Sequence, residues 1–258
     1  PGTMLITALF FALASLPTFV WLKERASPVP ESATGHESLA TAWRRAFAET
    51  RATLMHTREF QDMRRLMLCI VFYQAGIQAV IALAAIYAQQ AMGFSTQQTI
   101  GLIFVVNVTA AIGAVAFGYL QDRIGHVRGI ALTLVGWIAM VAIAAAAESV
   151  EAFWVAANIA GLCLGASQSA GRAFIAYLAP EGRQGEFFGL WGLAVKLSSI
   201  LGPLTYGSVT WMSGGNHRLA ILITGSFFVV GLLILRGIDA ERGHRAALAA
   251  NDGLSAKG

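Results

Sequence analysis

The sequence has 258 residues and a formal net charge of +4; 56% of its residues are apolar and only 12% are charged. A soluble domain carries about 25% charged residues, so this composition excludes an ordinary soluble protein and indicates one whose solvent is lipid. Cys69 and Cys163 both fall inside apolar segments, which argues against a disulfide framework or a redox role.

Seven apolar segments are each long enough to cross the roughly 30 Å hydrocarbon core of a bilayer as a helix, and they are too long for barrel strands. The seven predicted spans are Met4–Leu22, Met67–Ala88, Thr99–Leu120, Ile130–Ala147, Ala152–Ala179, Phe187–Met212 and Leu219–Leu235. The first span follows Pro1 almost at once and lacks the basic front region and cleavage site of a signal peptide. We therefore interpret it as a helix entered partway through a longer protein, with an expression scar or a true start at Met4 as the alternatives.

Basic residues mark every second connection between the spans. The long connection from Lys23 to Arg65 carries eight of them, the next connection, Gln89–Gln98, carries no charge, and the tail after Leu235 is basic again. The positive-inside rule therefore predicts a multi-pass protein of the inner membrane, with the long connection and the carboxy terminus in the cytoplasm. The predicted domains are 1–22 (a transmembrane helix), 23–66 (a cytoplasmic loop), 67–235 (six spans) and 236–258 (a cytoplasmic tail).

The long connection contains a candidate surface helix. Arg44, Arg51, Arg58 and Arg65 repeat every seven residues, and apolar residues lie near another face of the same helix. This pattern indicates a basic amphipathic helix on the anionic lipids of the cytoplasmic leaflet; packing on the protein's own loops is an equally good interpretation. Because charge bias for topology already explains the arginines, we expect no nucleic-acid partner.

Amide and ionisable side chains inside the spans are energetically expensive and usually functional. They fall on the second, third, fifth and sixth spans. As substrate-binding candidates we select Gln74, Gln78, Asn107, Asn158, Gln168, Lys196 and Ser199. Simple hydrogen bonding between helices is the alternative for Gln74, Gln78 and Asn107.

Two stripes of small and polar residues follow the helical period. On the fifth span the stripe includes Gly161 and Gly165, whose spacing predicts close helix contact, and ends at Arg172. On the sixth span it is Gly189, Gly192, Lys196, Ser199, Pro203 and Gly207. Lys196 lies near the membrane midplane, and no acidic residue lies deep in any predicted span. Its counter-charge must come from a missing helix or from an anionic group on a substrate. For Arg172, snorkelling to the interface is the favoured alternative.

The connection between the third and fourth spans reads Gly118-Tyr-Leu-Gln-Asp122-Arg123-Ile-Gly125-His126-Val-Arg128. Gly118 permits close packing and Gly125 permits a tight turn. Asp122 can face a helix amino terminus, and Arg123 and Arg128 can hold either this carboxylate or a lipid phosphate. An ordinary basic turn is the alternative. The spacing resembles the signature loop of the major facilitator superfamily, which implies a gating role for Gly118, Asp122, Arg123, Gly125 and Arg128.

A second motif runs Pro180-Glu-Gly-Arg183-Gln-Gly-Glu186-Phe-Phe-Gly189-Leu190 and is followed by Lys196 and by Leu201-Gly202-Pro203. It resembles the autophagy-related vacuole effluxer family and its bacterial relatives, a branch of the same superfamily. The resemblance implies an all-α integral membrane protein with a major facilitator fold. This chain would supply helices six to twelve: the C-terminal six-helix half and one preceding helix. It also implies gating roles for Arg172, Arg183 and Pro203, and a pathway lined by helices seven, eight, ten and eleven.

These observations predict a secondary active transporter that moves a small solute by alternating access. The resemblance makes amino-acid efflux the leading activity, with the missing N-terminal half of the same protein as a partner. The alternative is a non-transporting membrane receptor or assembly module that kept the fold. Because the sequence has no metal-ligand cluster, nucleotide-binding loop or nucleophile–base motif, we expect no enzyme activity, no metal and no cofactor.

Overall fold

The structure, a computed structural model, describes residues 2–21 and 60–255. Its elements in these ranges are eight α-helices and a 3₁₀ turn at Glu181–Arg183. The helices are α1 (Gly2–Trp21), α2 (Gln61–Met92), α3 (Thr96–Ile124), α4 (His126–Ala146), α5 (Val150–Leu178), α6 (Gln184–Met212), α7 (His217–Leu235) and α8 (Ala240–Ser255). Most of the predicted basic amphipathic helix, including Arg44, Arg51 and Arg58, lies outside the described residues.

Seven of these helices, α1 to α7, are long and apolar enough to cross a membrane, so the chain is a multi-pass membrane protein. Their number and order agree with the predicted spans, but their ends do not. The second helix begins at Gln61 rather than at Met67. Its 32 residues span about 48 Å at 1.5 Å per residue, so its polar first turn extends beyond a hydrocarbon core of roughly 30 Å.

The first helix belongs to a separate compact unit, residues 1–48. It is 20 residues long, has neither acidic residues in its first turn nor basic residues in its last, and contains Pro17. Such uniform apolarity is typical of a membrane span.

Helices α2 to α7 form a bundle of two three-helix sets, with a pairing that is nearly symmetric. Helices α2, α3 and α4 form one set, and α5, α6 and α7 form the other. The first helix of each set packs on the second and third helices of the other set: α2 packs on α6 and α7, and α5 packs on α3 and α4. The third helices, α4 and α7, pack on each other, whereas α2 and α5 share few contacts. This exchange of partners is the pattern expected of a 3+3 inverted repeat.

Glycines permit two close helix crossings. A methyl group at Gly161 would overlap Thr109, and one at Gly165 would overlap the Ala110 carbonyl, so α5 lies directly on α3. The predicted close contact at this glycine pair is therefore confirmed. At the equivalent crossing, Gly202 of α6 lies against the Ala75 carbonyl of α2.

The tail, predicted only as a cytoplasmic extension, contains the helix α8. Its Arg242 holds the buried Asp62 carboxylate of α2 through two hydrogen bonds of 2.7 and 2.6 Å, and the Asp239 amide donates a third of 3.0 Å. The hydrogen bond from Arg242 to Asp62, together with the charge of this carboxylate, raises the pKa of Arg242 above its usual value. We call the end of the bundle that carries Asp62 and α8 the α8 end.

A second set of contacts fastens α8 to α5. The His244 ring stacks on Tyr177 with centroids 4.1 Å apart, and its Nδ1 lies 2.8 Å from the Tyr177 carbonyl oxygen. Tyr177 also packs against His126 at the start of α4, with centroids 4.6 Å apart. The tail helix therefore contacts two membrane helices, α2 and α5, at the α8 end, and Tyr177 in turn contacts α4.

Candidate functional site

Helix α6 presents three chemically different faces. One face packs on α2, where the Ser198 hydroxyl donates to the Val71 carbonyl (2.9 Å) and Gly202 lies against Ala75. A second face exposes large apolar side chains, as a lipid-facing surface does: Leu193, Leu197, Ile200 and Leu204. The third face is also exposed but small and polar, and it is the predicted stripe that contains Lys196 and Ser199.

Lys196 lies near the middle of its helix. The midpoint of α6 falls at Ser198, so Lys196 is two residues, or about 3 Å along the axis, from the centre. Its side chain is exposed and forms no ion pair with any residue that the structure describes. The neighbouring Ser199 hydroxyl donates to the Lys196 carbonyl (2.7 Å), which leaves its oxygen free to accept. This face of α6 thus offers an uncompensated cation and an acceptor.

The glycines of the same stripe do not pack on a neighbouring helix. Methyl groups at Gly189, Gly192 and Gly207 would meet nothing within 4 Å among the described residues. Within the described part of the chain this face of α6 therefore remains open. Pro203 lies inside α6, and the helix continues through it.

Gln74 is a buried polar residue near the middle of α2. Its side chain is 1% exposed, and its Oε1 accepts no hydrogen bond from the described part of the chain. It precedes the midpoint of α2 by only two to three residues, about 4 Å, and the next turn carries the half-buried Gln78. A role as a helix–helix fastener would require a partner for this oxygen, so the structure does not support that alternative for Gln74.

The remaining amide candidates do not join this pair. Asn107 donates to the Ile103 carbonyl and Asn158 to the Trp154 carbonyl, both at 2.8 Å and both within their own helices. Gln168 is half-buried on α5, one turn before Arg172, whose Nε donates to the Gln168 carbonyl (3.1 Å). Because Ser198 meets Val71 and Gly202 meets Ala75, Lys196 is level with Cys69, five residues or about 7.5 Å along α2 from Gln74. Asn107, Asn158 and Gln168 lie on α3 and α5.

Two of the predicted gating residues lie where α5 and α6 meet at the α8 end. The Arg172 guanidinium is 5.7 Å from the centroid of Trp191, a cation–π contact between the two helices. Arg183 pairs with Glu186 (2.7 Å) in the turn that precedes α6. Arg172 is thus held against a neighbouring helix as well as being exposed for snorkelling.

The connection between α3 and α4 has the predicted tight turn and three exposed charged side chains. Gly125 has φ of 87°, a left-handed conformation that favours glycine. Asp122, Arg123 and Arg128 are exposed, and Asp122 forms no ion pair with either arginine among the described residues. A methyl group at Gly118 would meet no atom of the described residues within 4 Å, so the predicted close packing is likewise not seen there.

Gln121 and His126, which we did not select, make the specific contacts of this connection. The Gln121 Nε2 lies 2.5 Å from His126 Nδ1 and donates to the Ala170 carbonyl of α5 at 3.3 Å. The only sequence signal was their proximity to the signature loop, because partners 49 residues apart are not visible in a local pattern.

Comparison with known proteins places this geometry in a family. Residues 2–248 match the family model described as "Vacuole effluxer Atg22 like". An uncharacterised MFS-type transporter of Bacillus subtilis, YxiO, is 25% identical over 80% of this chain and 48% of its own length. Autophagy-related protein 22-1 of Aspergillus niger is 25% identical over 98% of this chain and 44% of its own length. The chain thus spans about half the length of these relatives.

Solved structures agree on the fold. The human organic anion transporter MFSD10 superimposes with a TM-score of 0.63 at 18% identity, over 68% of this chain and 41% of that protein. A bacterial homologue of the human lysosomal transporter Spinster, in an inward-facing unoccupied conformation, gives 0.58 at 16% identity, over 88% and 54%. With the fold of major facilitator transporters and a family match along nearly all of its length, the chain belongs to the Atg22-like vacuole effluxer family.

Proposed function

We propose that this chain is the C-terminal part of a secondary transporter that moves a small solute across the inner membrane by alternating access. The observation that carries the proposal is Lys196: a cation near the middle of a membrane helix, on an open small and polar face, without an acidic partner in the described chain. A charge at the bilayer centre costs about 2.5–3.5 kcal/mol on insertion scales, so it needs a compensating anion. A transported anionic group, or an acid on the N-terminal half, supplies it.

The substrate class follows from two polar groups on the neighbouring helices α6 and α2. Lys196 offers a cation for a carboxylate, and the buried Gln74 oxygen offers an acceptor without a donor. A small molecule with both a carboxylate and an ammonium group satisfies the two together, which supports amino acids as substrates. Gln78 and Ser199 add polar groups about one turn further along the same two helices, whereas Asn107, Asn158 and Gln168 lie on α3 and α5. The organic anion transport stated for MFSD10 is in keeping with a cation at the site.

Gating is assigned to the α8 end, which the charge bias of the connections places in the cytoplasm. The exposed Asp122, Arg123 and Arg128 are available there to contact the N-terminal half, with the turn at Gly125 fixing their direction. Arg172 and Arg183 lie at the joined ends of α5 and α6, and Pro203 removes one backbone hydrogen bond where α6 would bend. Gly118 leaves room for a helix of the other half.

Reconstitution of the full-length protein tests this proposal. Purified protein in vesicles loaded with unlabelled amino acids should accumulate a radiolabelled amino acid by exchange, and empty vesicles should not. A panel covering acidic, basic and neutral amino acids, with carboxylates lacking an ammonium group as controls, defines the class. If folded protein exchanges no member of the panel, the amino-acid assignment fails. If it exchanges no solute in a broader screen either, the protein is a receptor or an assembly module.

A further inference from the structure

A buried glutamine fastens the end of α3 to α5. Gln121 is 2% exposed, and its amide nitrogen Nε2 carries two hydrogen atoms that meet two different partners. One partner is the Ala170 carbonyl of α5 (3.3 Å), and the other is Nδ1 of His126, the first residue of α4 (2.5 Å). A single amide group therefore joins three helices, α3, α4 and α5, at the α8 end of the bundle.

These two partners fix the protonation state of His126. A carbonyl oxygen only accepts hydrogen bonds, so the Gln121 atom beside Ala170 must be the amide nitrogen and not the amide oxygen. The same nitrogen also faces Nδ1 of the imidazole, which must therefore accept and carry no proton. His126 is thus neutral, with its proton on Nε2. The amino terminus of α4 favours this form, because the positive end of a helix dipole disfavours an imidazolium.

Water reaches His126 through a cleft at the α8 end. The volume of this cleft is about 460 Å³. Its polar lining residues are His126, Tyr177, Glu181, Gln184 and His244. Because His126 is only half-buried and lines this cleft, its imidazole can exchange protons with the solution on this side of the membrane.

The surroundings of His126 leave its charge state close to balance. Among the described residues, Asp122 of α3 stabilises an imidazolium at this position, and His244 of α8 opposes it. The ring otherwise lies against uncharged rings of α5, with centroid distances of 5.4 Å to Phe174 and 4.6 Å to Tyr177. The charge of this imidazole is therefore set by the proton concentration in the cleft and not by a fixed ion pair.

Protonation of His126 is incompatible with the hydrogen bonds of Gln121. An imidazolium carries N–H on both ring nitrogens, so Nδ1 would face the amide donor with no acceptor between them. Turning the amide round would give His126 an acceptor, but would place the amide oxygen against the Ala170 carbonyl oxygen. Neither orientation satisfies both neighbours. The turned one, which a charge-assisted hydrogen bond favours, releases α5.

We propose that His126 is a proton-sensitive latch: its protonation from the aqueous side at the α8 end frees Gln121 from Ala170 and lets the end of α3 move away from α5. Asp122 and Arg123 follow Gln121 directly in the chain, so the exposed charges of this connection move with it. The consequence for gating rests on the transport function proposed above, whereas the release of α3 does not.

Spin labels on α3 and α5 test the latch in the full-length protein in lipid nanodiscs. The labels replace the exposed Tyr119 and Ala176, in a background in which the buried Cys69 and Cys163 are alanine, and pulsed double electron resonance measures their separation. Imidazole titrates between about pH 8 and about pH 5, so this change should add a longer distance. The ratio of longer to shorter distances should rise about tenfold, since one hydrogen bond is lost and a repulsion is added. A distance that stays constant over this range in folded protein would overturn the proposal.

One substitution made at two histidines assigns the response to His126. In His126→Asn the amide oxygen replaces Nδ1 as the acceptor and does not titrate, so the shorter distance should persist at both pH values. His244 is the matched control, because its Nδ1 faces the Tyr177 carbonyl (2.8 Å) and donates in both protonation states. His244→Asn keeps a donor there, so the pH response should remain.

Gln121→Met provides the opposite limit. It lacks the amide and should give the longer distance at every pH, with no further change on acidification. A pH response that survives in folded His126→Asn, or one that is unchanged in Gln121→Met, would contradict the latch. Exchange activity plays no part in this readout, so failure of the transport proposal leaves the result intact.

Discussion

Replacing Lys196 tests the central element of the proposed site. The helix α6 is about 43 Å long, and Lys196 lies about 3 Å from its middle, hence about 12 Å from the nearer edge of a 30 Å core. A four-carbon stem does not span that distance, so the ammonium group requires a partner inside the membrane. Removing it by Lys196→Met also removes an insertion cost of about 2.5–3.5 kcal/mol, so the variant should insert and fold at least as well as the wild type.

The effect on binding has the opposite sign. A charge-assisted hydrogen bond contributes about 1.5–3 kcal/mol, and each 1.4 kcal/mol is a factor of ten, so Lys196→Met should weaken substrate affinity about 10- to 150-fold. The assay is the rise in the melting temperature of the purified full-length protein on adding the amino acid identified by exchange, since a ligand stabilises the state that binds it. Transport by the same variants in vesicles provides the second readout.

Two further variants control this experiment. Leu197→Met changes the adjacent residue on the exposed apolar face and should leave both the thermal shift and transport unchanged. Lys196→Arg keeps the charge but replaces a compact ammonium by a planar fork, and should restore binding only in part. If Lys196→Met retains the full thermal shift and normal transport, the reasoning is refuted and the binding role passes to other groups such as Gln74.

Three more predictions concern packing, gating and topology. Gly165→Ala should destabilise the protein by about 1–3 kcal/mol, because the new methyl group would overlap α3. The control Gly185→Ala has open space around it and should be neutral or stabilising. Thermal denaturation measures both variants, and equal effects would argue against the tight crossing. Asp122→Asn should slow exchange in vesicles with expression unchanged, and wild-type turnover would leave Asp122 as a turn residue. Single cysteines at the exposed Gln97 and Ala249 should react with an impermeant thiol reagent from opposite sides of the membrane, and labelling from one side would disprove the assigned topology.

The sequence predicted the features that depend on local patterns. Each span is a continuous apolar run, so the number and order of the spans could be found without the structure. The four-residue spacing of Gly161 and Gly165 predicted a close helix crossing, which the structure confirms. The turn at Gly125 could also be predicted from the sequence, because glycine readily adopts the left-handed conformation found at this one-residue connection.

Long-range partners could not be predicted in the same way. Asp62 and Arg242 are 180 residues apart, and neither side chain has a distinctive neighbourhood in the sequence. The start of α2 was missed because Gln61, Asp62 and Arg65 are too polar for a membrane span, although they continue its helix. The roles assigned to Lys196, Gln74 and the gating residues remain predictions.

The attachment of α8 has a mechanical consequence. By holding Asp62 of α2 and Tyr177 of α5, it joins the leading helices of both repeats at one end of the bundle. Toward the other end the same two helices, which share few contacts, are separated by a cavity of about 370 Å³ lined by Ala84 of α2 and Ala156 of α5. The bundle is therefore stiff at one end and compliant at the other. Lateral pressure in the bilayer would be absorbed mainly in the leaflet far from α8, where α2 and α5 have room to approach each other.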